Sequence, residues 1–487
     1  DLLLKDLNKF CVAKCLGPYA AISLVGKKIR SIVHKIGEQL EAFEEKKIYL
    51  ISHSASDLNF TFIISESDAE KTVQSLHERF FSTYQIQDGL GSTWQEFIAG
   101  EKKGEDKKNK EWWYRKKSQL LKQSCRHTPC YVYDLDSVKE SIAAIKTIGA
   151  DRIHYAVKAN DNEKILQTVA SFGLGFDCVS IEEVLHIKKT LGSNVSTSIG
   201  FTPNFVAIDE YKKAIQLGCE VTIDNVSFLR EYAKFFSQKS IHIRLDPSIR
   251  AGHHRFVRTA GNQSKFGISF DDMGILEEIT TQHSIRVKGL HAHIGSGIRD
   301  ASLWAKTAEN LIAIAKDLFP LASVINIGGG FGLQETKEQR PLDLKVLKNK
   351  LIDIKKQSSG YDIWIEPGRY IVAKSGVILT KVTQIKYKSN KCYIGVDVGM
   401  NSFMRPALYG AYHNIINLSA LGEGRGKYIK ADIVGPICES SDVFGRDRLI
   451  SKSKIGDVVL LDCVGAYGRV MASLYNRRSP AKEVILA

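Results

Sequence analysis

The sequence has no run of about 18 apolar residues, so no helix in it is built to span a bilayer. It also has no C-x-x-C pair. The nine cysteines are scattered from Cys11 to Cys463, and the spacings of Cys11/Cys15 and Cys125/Cys130 suit a zinc site poorly. An odd number of scattered cysteines fits reduced thiols in a cytosolic protein better than a disulfide framework. Residues 1–10 lack an initiator Met and the basic-then-apolar order of a signal peptide. The expectation is a cytoplasmic chain, compatible with a piece of a longer polypeptide. No nucleic-acid recognition signature accompanies the net charge of +14, and much of the local excess lies within 102–117 beside Gly104 and Asn109. That stretch reads as a solvated linker, and no nucleic-acid partner is expected.

What is present points to an ordinary globular protein, 44% hydrophobic and 25% charged. A length of 487 residues implies roughly three domains. Up to about Gln87 the order is β-α-β-β-α. Strands are expected over 21–25, 48–52 and 59–64, with a helix over 30–44 and a second helix capped by Asp68. Residues 88–125 form a linker plus a helix, anchored by Trp94, Trp112 and Trp113.

Short apolar runs then recur at helix-length spacing: 153–157, 175–179, 195–199, 221–223, 241–245, 287–291, 324–327 and 363–365. This α/β pattern predicts a (β/α)8 barrel, with an open doubly wound sheet as the alternative from periodicity alone. From about Ser375 the runs 377–382, 392–398, 431–434 and 458–462 predict a mostly-β domain. The expected boundaries are 1–87, 88–125, 126–374 and 375–487, with 126–136 a strand of the β domain.

Active sites on such barrels sit at the carboxyl ends of the strands. Those ends carry Lys158, Asp177, His293, Gly328-Gly329-Gly330 and Glu366. Lys158 follows an apolar strand, where partial desolvation lowers its pKa and frees the amine to condense with an aldehyde; taken alone it would be a solvated lysine. Bare glycines after the seventh strand let backbone N–H groups approach a phosphate, although a triple glycine by itself marks a tight turn. Glu366 of E-P-G-R can hold a proton on a pyridine nitrogen, or merely cap a helix. The H-x-H of His291 and His293 can bind a metal, but no third ligand stands at useful spacing. His293 stacked on a cofactor ring, with Ser296 near its phosphate, fits the set better. The combination suits pyridoxal 5'-phosphate.

Y-A-V-K-A-N, H-A-H-I-G-S-G, I-G-G-G-F-G, E-P-G-R-Y-I-V-A, M-N-S-F-M-R-P-A-L-Y-G-A-Y-H, C-E-S-S-D-V-F and G-A-Y-G occur in that order. From about Arg126 onward they closely resemble the diaminopimelate decarboxylases, alanine-racemase-like enzymes that use pyridoxal phosphate. The segments S-L-V-G and I-S-H-S-A-S-D-L-N-F-T-F resemble the ACT regulatory domain of aspartate kinases, with a generic ferredoxin-like sandwich as the alternative. Together they resemble the C-terminal part of a fused aspartate kinase–diaminopimelate decarboxylase; no glycine-rich kinase signature is present.

The resemblance implies that Pro367, Gly368 and Arg369 complete the cofactor site with Glu366. It also implies that Arg369, Arg405, Tyr409 and Glu439 hold substrate, and that Tyr467 touches both cofactor and substrate. Cys438 would reprotonate the α-carbon from the partner subunit of a homodimer with shared active sites. The plain alternatives are a surface arginine at 405, core tyrosines at 409 and 467, and a small buried hydrophobe at 438. The distal end of diaminopimelate carries a carboxylate for an arginine fork and an ammonium for Glu439. Rival readings are an ornithine- or arginine-type decarboxylase, a racemase, and a catalytically silent regulatory homologue. A racemase would need a second base opposite Lys158, and none is evident.

Overall fold

The computed structural model describes residues 17–25, 48–53, 59–83, 111–192, 198–247, 264–335, 339–358 and 360–486, and the chain divides into two units, 1–102 and 103–487. In the first unit, β1 (Tyr19–Val25), β2 (Leu50–His53) and β3 (Asn59–Ser65) form an antiparallel sheet ordered β1-β3-β2. Alternation along the central strand turns Phe62 and Ile64 inward, where they pack with Ile22 and with Leu76 of the helix Glu66–Thr83. That helix begins at Glu66, so Asp68 lies in its first turn rather than at the cap; there its charge still complements the helix dipole. The helix expected over 30–44 falls outside the described residues.

In the second unit, eight parallel strands close into a barrel: β5 (Arg152–Ala156), β6 (Gly175–Cys178), β7 (Ile199–Phe201), β8 (Glu220–Ile223), β9 (Ser240–Arg244), β10 (Arg286–His291), β11 (Val324–Asn326) and β12 (Asp362–Ile365). Pairing of β12 with β5 closes the ring and removes the open-sheet alternative. Strands covered on both faces can be apolar throughout, which is why short runs such as V-I-N and D-I-W-I become strands here. The third strand lies later than the expected 195–199, most of which falls outside the described residues. Ile199 and Phe201 are the buried side chains, flanking Gly200. At the opposite end from the strand termini of interest, Glu220 bonds Lys288 and His242, both at 2.9 Å. Burial alone would raise the Glu220 carboxyl, but the hydrogen bonds from His242 and Lys288 hold it at about 2.

The β domain is organised around the long strand β13 (Gly376–Lys388), with β14 (Lys391–Val396), β15 (Ile415–Asn417), β16 (Tyr428–Val434), β17 (Val443–Ser451) and β18 (Val458–Leu461) in the order β15-β18-β13-β14-β16-β17. An earlier strand, β4 (Cys130–Asp134), pairs with β13 and with the last strand, β19 (Lys482–Leu486). Strands β15, β17 and β19 were not expected: V-F-G-R-D-R-L-I-S, for instance, has no period-2 alternation to mark it. Trp112 and Trp113 are buried against β4, β13 and β18, and Trp112 Nε1 donates to the Lys374 carbonyl at 2.8 Å. Lys116 is not simply solvated; it pairs with the buried Asp134 at 2.6 Å. Residues 84–110, with Trp94 and the lysines of the basic stretch up to Lys110, lie outside the described residues.

Candidate active site

The barrel mouth is assembled from the residues that follow each strand. After β5 the chain tightens into a 3-10 turn, Val157–Ala159, which buries both flanking residues and turns Lys158 outward. Its Nζ lies 3.5 Å from Oδ2 of Asp177, on the neighbouring β6. Burial pulls the Lys158 amine down, as expected from the sequence, but Asp177, Tyr467 and Glu366 outweigh it and the net shift is upward. The expected lowered pKa is therefore corrected. The strand pattern shows burial but not the anions that ring closure brings alongside. Burial, then Glu366, in turn raises the Asp177 carboxyl against the pull of Lys158 and His291.

Glu366, directly after β12, is buried with both oxygens engaged. His291 Nε2 lies 3.1 Å from Oε2, and Asn326 Nδ2 donates to Oε1 at 2.6 Å. Burial opposes its charge, but His291, Lys158 and His293 hold it well below the ordinary carboxylate range. It does not cap the helix Arg369–Val372, whose cap residue is Gly368. His293 is driven well below the ordinary imidazole value by burial, then by Arg244 and Lys158, and is neutral. Its Nδ1 accepts from the Gly329 N–H at 3.1 Å.

The glycine loop packs more tightly than a phosphate cradle alone requires. A Cβ on Gly329 would run into the Glu366 carbonyl, and one on Gly330, at φ +87°, into the Gly295 carbonyl. The Gly328 N–H is committed to Asn326 Oδ1 at 2.9 Å, and that of Gly329 to His293. The neighbouring strand ends thus claim two of the three amides of the loop.

A second cluster adjoins the first through Tyr467, which sits at φ +54° and donates its N–H to the Ala159 carbonyl at 2.8 Å. The Arg369 guanidinium lies 5.1 Å from the Tyr467 ring centre, and its Nη2 donates to Ser296 Oγ at 3.2 Å. Pro367 accepts the Ala156 N–H at 3.4 Å, and Gly368 is closed in by Ala156 and Ala159. Arg405 is no surface arginine; it is 2% exposed. Its Nη1 donates to His413 Nε2 at 3.1 Å, and His413 Nδ1 lies 3.0 Å from the Asp462 carbonyl. Burial, then Arg405, holds His413 neutral, so one ring nitrogen donates to the carbonyl while the other accepts from the arginine. Burial and then Arg369 lower the Arg405 guanidinium to about 10. Tyr409 is half-buried at the end of the same short helix, Arg405–Tyr409.

The strand ends thus gather Lys158, Asp177, His293, the glycine loop and Glu366, and Tyr467 joins them to Arg369, Ser296 and Arg405. Cys438 and Glu439 are exposed rather than buried, and they bond elsewhere: the Cys438 N–H donates to Asn476 Oδ1 at 2.7 Å and the Tyr475 hydroxyl to Glu439 Oε1 at 2.6 Å.

Residues 135–373 match the family described as "Pyridoxal-dependent decarboxylase, pyridoxal binding domain", and 22–80 match "ACT domain". The chain is 32% identical over 375 residues to the diaminopimelate decarboxylase of Methanothermobacter thermautotrophicus, covering 74% of this chain and 86% of that one. Against the enzyme of Campylobacter jejuni the identity is 34% over 382 residues, covering 74% and 91%. The chain belongs to the diaminopimelate decarboxylase family. The crystal structure of the Helicobacter pylori diaminopimelate decarboxylase complexed with L-lysine superposes with a TM-score of 0.68 at 30% identity, covering 76% of this chain and 94% of that one.

Pyridoxal 5'-phosphate is the cofactor of this decarboxylase, and the residues fit it. An amine on a turn at the mouth, a buried ionised carboxylate and a flat neutral imidazole are the donor set that a phosphorylated pyridine aldehyde needs. His291, with a buried Nδ1 that lacks a partner among the described residues, marks polar demand inside the mouth. Sequence reasoning missed four participants. His291 opens the motif H-A-H-I-G-S-G, Asn326 directly precedes I-G-G-G-F-G and His413 ends a third motif, so their positions were visible although their contacts with Glu366 and Arg405 were not. Glu335 carried no signal at all.

Proposed function

We propose that this chain decarboxylates meso-2,6-diaminopimelate to L-lysine and CO2, the last step of lysine biosynthesis. The observation that carries the reading is the buried arginine pair, Arg369 and Arg405, joined through Tyr467 to the mouth that holds Lys158 and Glu366. A substrate ending in a carboxylate beside an ammonium suits those guanidinium forks. Ornithine, ending in an ammonium alone, would set a cation against them.

When bound, pyridoxal phosphate supplies an electron sink for the charge left on the α-carbon as CO2 departs. Lys158 is the residue that would hold it. Glu366, kept ionised by His291, would hold a proton at the ring nitrogen, and neutral His293 would offer a flat face for stacking. Ser296, Gly330 and the Gly368–Arg369 turn are the groups for the phosphate, with Gly328 and Gly329 shaping the loop. Arg369, Arg405, Tyr409 and Glu439 would orient substrate, and Tyr467 would touch both substrate and cofactor. Cys438 delivers the proton to the α-carbon. Its exposure, and that of Glu439, supports a homodimer in which each chain lends these residues to its partner.

We assign residues 1–87 to an ACT regulatory domain, 88–125 to a linker and helix, 126–374 to the barrel and 375–487 to the β domain, with β4 belonging to the last. The ACT domain supports reading the chain as the decarboxylase part of a fusion with aspartate kinase. Seven free cysteines among the described residues are in keeping with the cytoplasm. Among the described residues no helix is long and apolar enough to cross a membrane.

The direct test is turnover of meso-diaminopimelate by cofactor-loaded protein, with lysine and CO2 both quantified. A preference for ornithine over diaminopimelate would overturn the substrate assignment. Shared sites have their own test. Lys158→Ala and Cys438→Ala proteins, each inactive alone, should regain part of the activity when mixed, because hybrid dimers contain one site with both residues intact. No recovery after verified subunit exchange would rule against the trans arrangement.

A further inference from the structure

The short helix Trp112–Arg115 sets two tryptophans side by side, and their indole N–H groups diverge onto separate segments. Trp112 Nε1 donates to the Lys374 carbonyl at 2.8 Å, and Trp113 Nε1 to Asp462 Oδ2 at 3.1 Å. Successive residues of a helix point about 100° apart, so a tandem pair can reach both at once. Both rings are buried, where an indole N–H needs an acceptor. The acceptors lie at the junction of barrel and β domain. Lys374 belongs to the 3-10 turn Ala373–Ser375, between the E-P-G-R helix and β13, and Asp462 directly follows β18.

Those two segments are bonded to each other. The Val464 N–H donates to the Gly376 carbonyl at 2.9 Å and the Gly465 N–H to the Ala373 carbonyl at 3.0 Å. Contact along this seam is close: a Cβ on Gly465 would run into the Val372 carbonyl, and one on Gly376 into the Gly465 backbone. The seam then reaches the turn after β5. The Gly465 carbonyl accepts from Asn160 Nδ2 at 2.8 Å, and the Asn160 N–H donates to the Val157 carbonyl at 3.0 Å, closing the turn whose middle residue is Lys158. The Tyr467 N–H on the Ala159 carbonyl, at 2.8 Å, is a second tie from the same segment to the same turn. Burial, then Glu111, pushes the Asp462 carboxyl up to about 7, while the N–H groups of Cys463 and Trp113 favour its charge.

We propose that Trp112 and Trp113 are positioning residues for the cofactor lysine. Their indole N–H groups lock the seam of 373–376 against 462–465, and through Gly465, Asn160 and Tyr467 that seam fixes the turn that presents Lys158. The inference rests on the pyridoxal phosphate site and is independent of the choice of substrate.

Trp112→Phe and Trp113→Phe keep an aromatic ring in the core and delete the donor. Measured as cofactor-loaded proteins well below their melting temperatures, each should release pyridoxal phosphate about tenfold faster than wild type on dilution, the scale of one unmet buried hydrogen-bonding group. The pH at which the protein-bound cofactor band titrates should also shift, because the surroundings of the Lys158 amine change with the turn. Leu120→Ala is the comparison. It removes a fully buried side chain from the same cluster but neither N–H donor, so it should lower the melting temperature and leave release and band unchanged. In an Asp462→Ala background, Trp113→Phe should add nothing further, since the bond is already gone. Wild-type release and titration in the Phe variants, losses equalled by Leu120→Ala, or additive effects of Trp113→Phe and Asp462→Ala overturn the proposal. If one Phe variant fails to fold, the other decides; if both fail, Asp462→Ala must itself speed release and shift the band. A wild type that holds no pyridoxal phosphate would instead overturn the cofactor site.

Discussion

Lys158→Ala should lose decarboxylation by at least about three decades in kcat, within the range that a single positioned acid–base or nucleophilic group contributes. The loss is expected because Lys158 is the amine on the turn after β5, facing Asp177 at 3.5 Å. The variant should also fail to hold pyridoxal phosphate covalently, so borohydride should fix no cofactor to the chain and its protein-bound absorbance band should vanish. Since Asp177, Tyr467 and Glu366 outweigh burial and keep the Lys158 amine protonated to higher pH than an ordinary lysine, loading of cofactor-free wild type should quicken as pH rises. The unprotonated amine is the form that attacks an aldehyde. Wild-type turnover by Lys158→Ala would overturn the assignment of the mouth as the cofactor site.

Arg405→Ala should cut kcat/KM for diaminopimelate by at least about two decades and leave cofactor loading largely intact. Removing one member of a buried ion pair costs about 3–5 kcal/mol, because the remaining charge stays desolvated without its partner, and about 1.4 kcal/mol corresponds to a decade. Arg405 meets the conditions for such a loss. It is 2% exposed, oriented by neutral His413 and shared with Glu335. Arg405→Lys should recover only part, since an ammonium cannot grip a carboxylate with a planar fork. The variants are to be measured on diaminopimelate, ornithine and lysine. Intact diaminopimelate turnover by Arg405→Ala would remove the basis for the substrate assignment while leaving the cofactor site standing.

Barrel and β domain were legible in the order and length of the apolar runs, because a strand covered on both faces needs little but continuous apolar residues between turns. The strand ends named Lys158, His293 and Glu366 for a related reason, whereas Arg405, in the β domain, was marked only by the family resemblance. Side chains that follow parallel strands meet at one end of the barrel whatever their separation along the chain. Three decisions belonged to the tertiary structure. The direction of the Lys158 shift depended on Asp177 and Glu366 arriving from β6 and β12, and strand patterns report burial but not neighbouring charge. The ionised state of Glu366 required His291, from β10, at 3.1 Å. Glu335, which no motif marks, stands 3.9 Å from two arginines that lie 34 and 70 positions further along the chain. Local sequence determines which segments are buried and where they turn. The electrostatic environment of each titratable group is set by residues distant in sequence, and closure of the barrel and docking of the β domain bring them together.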